Sequence, residues 1–118
     1  MNKFRLHVLG LPHTRTTKEY NACAFTQKAL KFCKMMTDRG HTVYHYGTEG
    51  SNPVCNEHIS VVSNERFDQV YGHIPKNGPY DLDNHELYHE FHVNTIKEIG
   101  KRKQPHDIIL PFWGVGMK

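Results

Sequence analysis

His13 is the residue whose type and place best suit chemistry. It lies in Gly10-Leu11-Pro12-His13-Thr14, directly behind the apolar run Leu6-His7-Val8-Leu9. A neutral imidazole can take a proton from a hydroxyl group near pH 7. Thr14 and Arg15 beside it offer a hydroxyl and a guanidinium to phosphate or sugar hydroxyls. The plainer roles are a turn histidine bonded to backbone and an arginine held in solvent.

A second constellation is His85-Glu86-Leu87-Tyr88-His89, a literal HExxH. On a helix, histidines four apart share a face and can bind zinc, with Glu86 as base. His92 adds an imidazole one turn on. The longer metzincin form fails, because it needs Gly at His92 and His at Thr95. With ten histidines in the chain a chance match is credible, and a helix with partly exposed histidines is the favoured reading.

Other signals are weaker. The dinucleotide fingerprint GxGxxG is missing, since the first turn offers only Gly10 before Pro12. Glu49 follows the second expected strand, where an acid contacts a ribose in nicotinamide enzymes. Trp113 and Gly114 follow the last strand, and an aromatic there can stack on a sugar or base ring. Cys23, Cys33 and Cys55 are odd in number and form no CxxC pair, so they read as reduced packing residues.

The elements that must position these residues follow from periodicity. Residues 4–9 read as a strand. A helix is expected from Lys18 to Arg39, capped by Thr16 or Thr17, with Ala22, Phe25, Ala29, Phe32, Cys33 and Met36 on its buried face. Gly40 suits the left-handed residue that ends it. A strand follows over His41–Tyr46, ended by Gly47, and another over Ile59–Val62. A short helix is expected over Asn64–Val70 and a loop from Gly72 to Tyr80. A long helix capped at Asp83 or Asn84 runs to Lys103, with Tyr88, Phe91, Thr95, Ile96 and Ile99 buried. The last strand, Asp107–Phe112, is the most apolar run and so is expected near the sheet centre.

Composition narrows the classes. The chain has 118 residues, 37% hydrophobic and 23% charged, which excludes a disordered segment. No apolar run approaches the ~20 residues of a membrane helix, and the amino terminus does not read as a signal peptide. A cytoplasmic protein is expected. The net charge of +3 is mild, so nucleic-acid binding is not favoured. The one basic cluster, Lys101-Arg102-Lys103, suits the negative end of a helix dipole.

A strand ending in Gly10-Leu11-Pro12-His13-Thr14 precedes a helix ending in Arg39-Gly40-His41. A strand then ends in His45-Tyr46-Gly47, and a late strand reads Asp107-Ile108-Ile109-Leu110-Pro111. This pattern resembles the amino-terminal Rossmann-like domain of GT-B-fold glycosyltransferases of viral or bacterial type. Its most specific piece is Arg39-Gly40-His41-Thr42-Val43. The resemblance implies a domain that binds the acceptor, while a carboxy-terminal domain holds the nucleotide-sugar. It also implies a histidine base in the loop after the first strand, a position matched by His13. The departure is that no second domain is present.

The expectation is therefore an α/β fold, a Rossmann-like parallel sheet of about four strands flanked by helices. Residues 1–118 form one domain, with the amino-terminal half of a two-domain enzyme as one reading. The expected function is a glycosyltransferase, or its acceptor-binding domain, moving a sugar from a nucleotide-sugar to a hydroxyl acceptor. A second domain or a second copy would complete it. His13 is the expected catalytic residue; Gly10, Thr14, Arg15, Tyr46, Glu49, Trp113 and Gly114 are the expected binding residues. No metal ligand or cofactor is assigned. The alternatives are a non-catalytic nucleotide-, sugar- or protein-binding module, then a zinc hydrolase acting through His85, Glu86 and His89.

Overall fold

The structure is a computed structural model that describes residues 2–81 and 83–112. Four strands and three helices follow in the order β1 (Arg5–Leu9), α1 (Ala24–Asp38), β2 (Thr42–Thr48), β3 (Glu57–Val62), α2 (Asn64–Tyr71), α3 (Tyr88–Arg102) and β4 (Ile108–Pro111). The strands form one sheet in the order β3-β2-β1-β4, and every pairing is parallel. This is the expected α/β, Rossmann-like sheet flanked by helices.

Two apolar faces explain the layers. Successive strand residues point to opposite sides. Leu6, Val8 and Val43 therefore pack with Cys33, Phe32 and Met36 of α1 on one face. Leu9, Tyr46 and Ile59 pack with Phe67 and Tyr71 of α2 and Phe91 and Ile99 of α3 on the other. β1 is bonded on both edges, by β2 and β4, and sits between both helical layers. No helix among the described residues is long and apolar enough to cross a membrane.

Several expected boundaries move. α1 begins at Ala24, not Lys18, because residues 17–23 spend their amides in turns, Tyr20 N to Thr17 O and Cys23 N to Tyr20 O. Neither Thr16 nor Thr17 caps it; Cys23 holds that position without a side-chain bond. Phe25 faces outward instead of into the core. Gly40 does adopt the left-handed conformation, at φ 85°. β2 continues through Gly47 to Thr48, with a register irregularity there. α2 forms as expected and is capped by Ser63, whose Oγ accepts the Arg66 amide at 3.1 Å. α3 starts at Tyr88, because Asn84 uses its side chain to accept the Glu86 amide in a turn. Ile96, expected in the buried stripe, is 70% exposed.

The largest correction concerns β4. It is an edge strand, and among the described residues it pairs with β1 alone. Ile108 and Ile109 are consequently 38% and 42% exposed. Polar contacts fix it instead of burial on both faces. Asp107, just before the strand, accepts from His7 Nε2 at 2.7 Å, Arg5 Nε at 3.1 Å and the Gln104 amide at 3.0 Å. A carboxylate can only accept, so His7 Nε2 donates to Asp107, while His7 Nδ1 lies 2.7 Å from the Tyr46 hydroxyl. Arg5 also donates to the Tyr44 hydroxyl and to the Arg102 carbonyl. The basic cluster at the end of α3 is ion-paired: Arg102 bridges Glu57 and Glu98, and Lys101 meets Glu98.

Burial raises the Asp107 pKa, but the Gln104 amide, His7 and Arg5 outweigh it and bring the carboxyl down to about 2. A depressed folded-state value stabilises the fold above the ordinary 3.8, and that stability is lost as pH falls towards about 2. Urea denaturation should show stability falling across this window in the wild type. Asp107→Asn should flatten that fall and cost ~2–4 kcal/mol at pH 7, because it removes the negative charge and one of the two oxygens that accept from Arg5, His7 and the Gln104 amide.

Candidate functional site

β1 feeds β2 and then β3 on one side, while β4 lies on its other side. The strand order therefore reverses between β1 and β4. In open parallel sheets, ligands bind outside the carboxyl ends of the strands at such a switch point. Gly10 leaves β1 at this place, and the connection to α1 runs from there to Cys23.

Close packing shapes that connection. The Gly10 amide donates to the Tyr46 carbonyl at 2.8 Å. A Cβ at Gly10 would lie 2.8 Å from Thr16 Oγ1, 3.1 Å from His45 Nε2 and 3.3 Å from the Tyr46 carbonyl oxygen. Only glycine lets the strand end approach these groups so closely. From Gly10 to Thr17 every residue except Arg15 is buried.

His13 is 4% exposed. Burial lowers its pKa from 6.5 to about 4, so the imidazole is neutral at pH 7. Its ring lies 6.3 Å from that of Tyr80. Thr14 is turned inward, its hydroxyl bonded to that of Thr26 at 2.7 Å.

The two charged residues expected to bind ligand are engaged within the protein. Arg15 reaches from the connection to α2. It donates to the Glu49 carbonyl at 3.0 Å and to Asn64 Oδ1 at 2.9 Å, meets Asp68 at 3.4 Å, and stacks 4.4 Å above the Phe67 ring. Glu49 accepts the Asn64 amide on Oε1 at 2.8 Å, at the positive end of α2. Tyr46 is fully buried, with its hydroxyl on His7. Gly10, His13 and Thr14 thus share the turn at the switch point, while Arg15 and Glu49 brace it and Tyr46 lies in the core. Trp113 and Gly114 lie outside the described residues.

A polar chain behind the turn went unread in the sequence. His58 Nδ1 and His45 Nδ1 are 2.8 Å apart, and His45 Nε2 meets Thr16 Oγ1 at 2.9 Å. The Thr16 amide then donates to Ser51 Oγ, also at 2.9 Å. Burial, and secondarily His58, lowers the His45 pKa to about 3. Alternation along β2 puts His45 on the Val43 face, but its pairing with His58 depends on strand register, which has no local sequence signal.

The HExxH segment is not a helical face. His85 and Glu86 precede α3. The His85 ring stacks on Tyr88 at 4.6 Å, and Glu86 pairs with Arg66 at 3.4 Å. Among the described residues no three His, Cys, Asp or Glu side chains gather as metal ligands. A cleft of about 450 Å³ borders the first connection, between Thr17 and Lys18 on one side and Leu30, Asn52 and Val54 on the other. That volume lies within the range of small-molecule sites.

No protein-family model, curated protein or solved structure matches the chain. The reading of the site therefore rests on its own geometry.

Gly10→Ala tests the close packing. The added methyl should part Thr16 from His45 and cost ~1–3 kcal/mol in thermal or urea unfolding. An unchanged midpoint would show that the turn has room to spare.

Proposed function

We propose that the chain is a Rossmann-like acceptor-binding domain of a glycosyltransferase, with His13 as the base that takes a proton from the acceptor hydroxyl. The observation that carries this reading is the position of His13, on the turn leaving β1 at the switch point between β1 and β4. Two further features support it. The imidazole is neutral at pH 7, the state a base requires. The turn is backed by Gly10, Thr16 and His45. The cleft beyond Thr17 is not lined by His13 and does not bear on it.

In this reading the acceptor hydroxyl comes within hydrogen-bond distance of His13. As its oxygen attacks the anomeric carbon, the bond to the nucleotide diphosphate breaks and the hydroxyl proton passes to the imidazole. The nucleotide-sugar is held by a second domain or a second copy. Arg15 and Glu49 act as braces, because their polar atoms are already bonded within the protein.

That bracing also favours a second reading, a module that binds a sugar or nucleotide without turnover. A site whose nearest charges are spent on structure has little electrostatic help to offer a leaving diphosphate.

A thermal-shift panel of free sugars, glycosides and nucleotide-sugars, followed by a transfer assay, separates the two. The glycosyltransferase reading expects stabilisation by acceptor and sugar transfer from donor. His13→Gln should then reduce transfer by ~10²–10⁴-fold with the melting temperature held. Unchanged transfer removes His13 as base. Stabilisation without transfer selects the binding module, and no response to any compound counts against both.

A further inference from the structure

A base must be reached by its substrate, and His13 is covered. The segment between α2 and α3, residues 72–80, lies against the first connection. The Tyr80 ring sits 6.3 Å from His13 and 6.2 Å from Tyr20, centroid to centroid. Nearer the surface, Lys76 Nζ pairs with Glu19 Oε2 at 3.0 Å. Gly78 approaches Ala22: a Cβ there would sit 3.6 Å from the Ala22 methyl.

The segment carries bonds of its own, and its Ile74 and Tyr80 also pack against the core cluster. The Tyr80 hydroxyl donates to the Lys76 carbonyl, and the Gly78 amide donates to the Pro75 carbonyl at 3.0 Å. Those internal bonds would survive a movement of the segment, which would unpack Ile74 and Tyr80 from the core. Its bridge to Glu19 is an ion pair of two exposed side chains, a class that holds weakly. Gly78 sits at φ 81°, a conformation that side chains resist, at the bend before Tyr80.

We propose that residues 72–80 form a gating strap, with Tyr80 as its plug, which lifts from the first connection to give a sugar hydroxyl access to His13. The inference rests on His13 being the reacting base.

Opening would also change the chemistry of the imidazole. Burial lowers the His13 pKa. Among the described residues Tyr80 faces it from the strap, and Tyr80 in turn meets Tyr20 of the connection, with the Glu19–Lys76 pair nearer the surface. Solvating the ring therefore moves it back towards 6.5. A closed strap holds a weak base out of water, and an open one presents a stronger base to the acceptor.

The test is a pH titration of the His13 ring by nitrogen–proton correlation NMR, in wild type, Tyr80→Phe and Tyr80→Ala, with far-UV circular dichroism as a check on folding. Wild type and Tyr80→Phe should titrate near about 4, and Tyr80→Ala should move upward towards 6.5. A Tyr80→Ala midpoint equal to that of wild type, or a wild-type midpoint already at 6.5, overturns the gate. Should Tyr80→Ala fail to fold, Glu19→Gln replaces it, read by the rate of His13 modification with diethyl pyrocarbonate. A faster rate than wild type supports the strap, and an equal rate overturns it. These readouts need no sugar. Absence of sugar binding would end the proposed reaction and leave the strap standing, whereas an unmoved His13 would end the strap whatever the chain binds.

Discussion

Gly10 has no room for a side chain, and much of the carboxyl end of the sheet is arranged around that fact. β1 is an inner strand, paired with β2 on one edge and β4 on the other. The chain leaving it must turn at once over the strand ends, between Tyr46 of β2 and the groups that fold back from Thr16. The Tyr46 carbonyl takes the Gly10 amide, and Thr16 and His45 close over the space that a Cβ would fill. The loop from Gly10 to Thr17 is consequently buried structure and not a solvated connector. Its buried polar groups need partners, which is why Thr14 finds Thr26 and the Thr16 amide finds Ser51.

The two ends of the sheet solve the same problem with different chemistry. At the amino end, charge is gathered: Asp107 is held by Arg5, His7 and a backbone amide. These bonds anchor an edge strand whose exposed isoleucines cannot anchor it by burial. At the carboxyl end, charge is excluded. His13 and His45 are buried with their pKa values lowered, and Arg15 and Glu49 are turned outward to α2. A parallel sheet presents bare strand ends at both poles. Here one pole is closed by ionic hydrogen bonds and the other by neutral ones, and the neutral pole coincides with the switch point.

What the sequence made legible was local. Apolar content marked β1, strand propensity marked β2, and Arg39-Gly40 marked the end of α1, where the left-handed turn is a one-residue property. Apolar content marked β4 as a strand but misplaced it, since Ile108-Ile109-Leu110 reads as buried on both faces while its position depends on neighbours that no short window contains. The start of α1 was missed for a related reason. Thr16 looked like a cap, but its hydroxyl is spent on His45, a partner 29 positions away. Arg15 looked solvated because its partners, Asn64 and Asp68, belong to another element. The His7–Asp107 bond spans 100 positions and leaves no trace in either flanking segment. His13 was legible as a turn residue, but its burial was not, because Tyr80 belongs to a loop that composition alone describes as irregular.

That burial sets the terms of any chemistry at the switch point. Desolvation keeps the imidazole neutral, and so able to accept a proton, but it also lowers its affinity for that proton and bars the donor from reaching it. A fully closed site would satisfy the first requirement and fail the other two. A fully open one would restore basicity but admit water as a competing acceptor. The two demands are compatible only if the cover is removable and the turn beneath it is not. The contacts divide along that line. The turn is fixed by Gly10, Thr16, His45 and Ser51 through buried bonds, whereas the cover is held by the packing of Ile74 and Tyr80, ring contact and an exposed ion pair. A turn fixed by buried bonds under a cover held by side-chain packing is what the proposed site needs if it is to stay organised while its access changes.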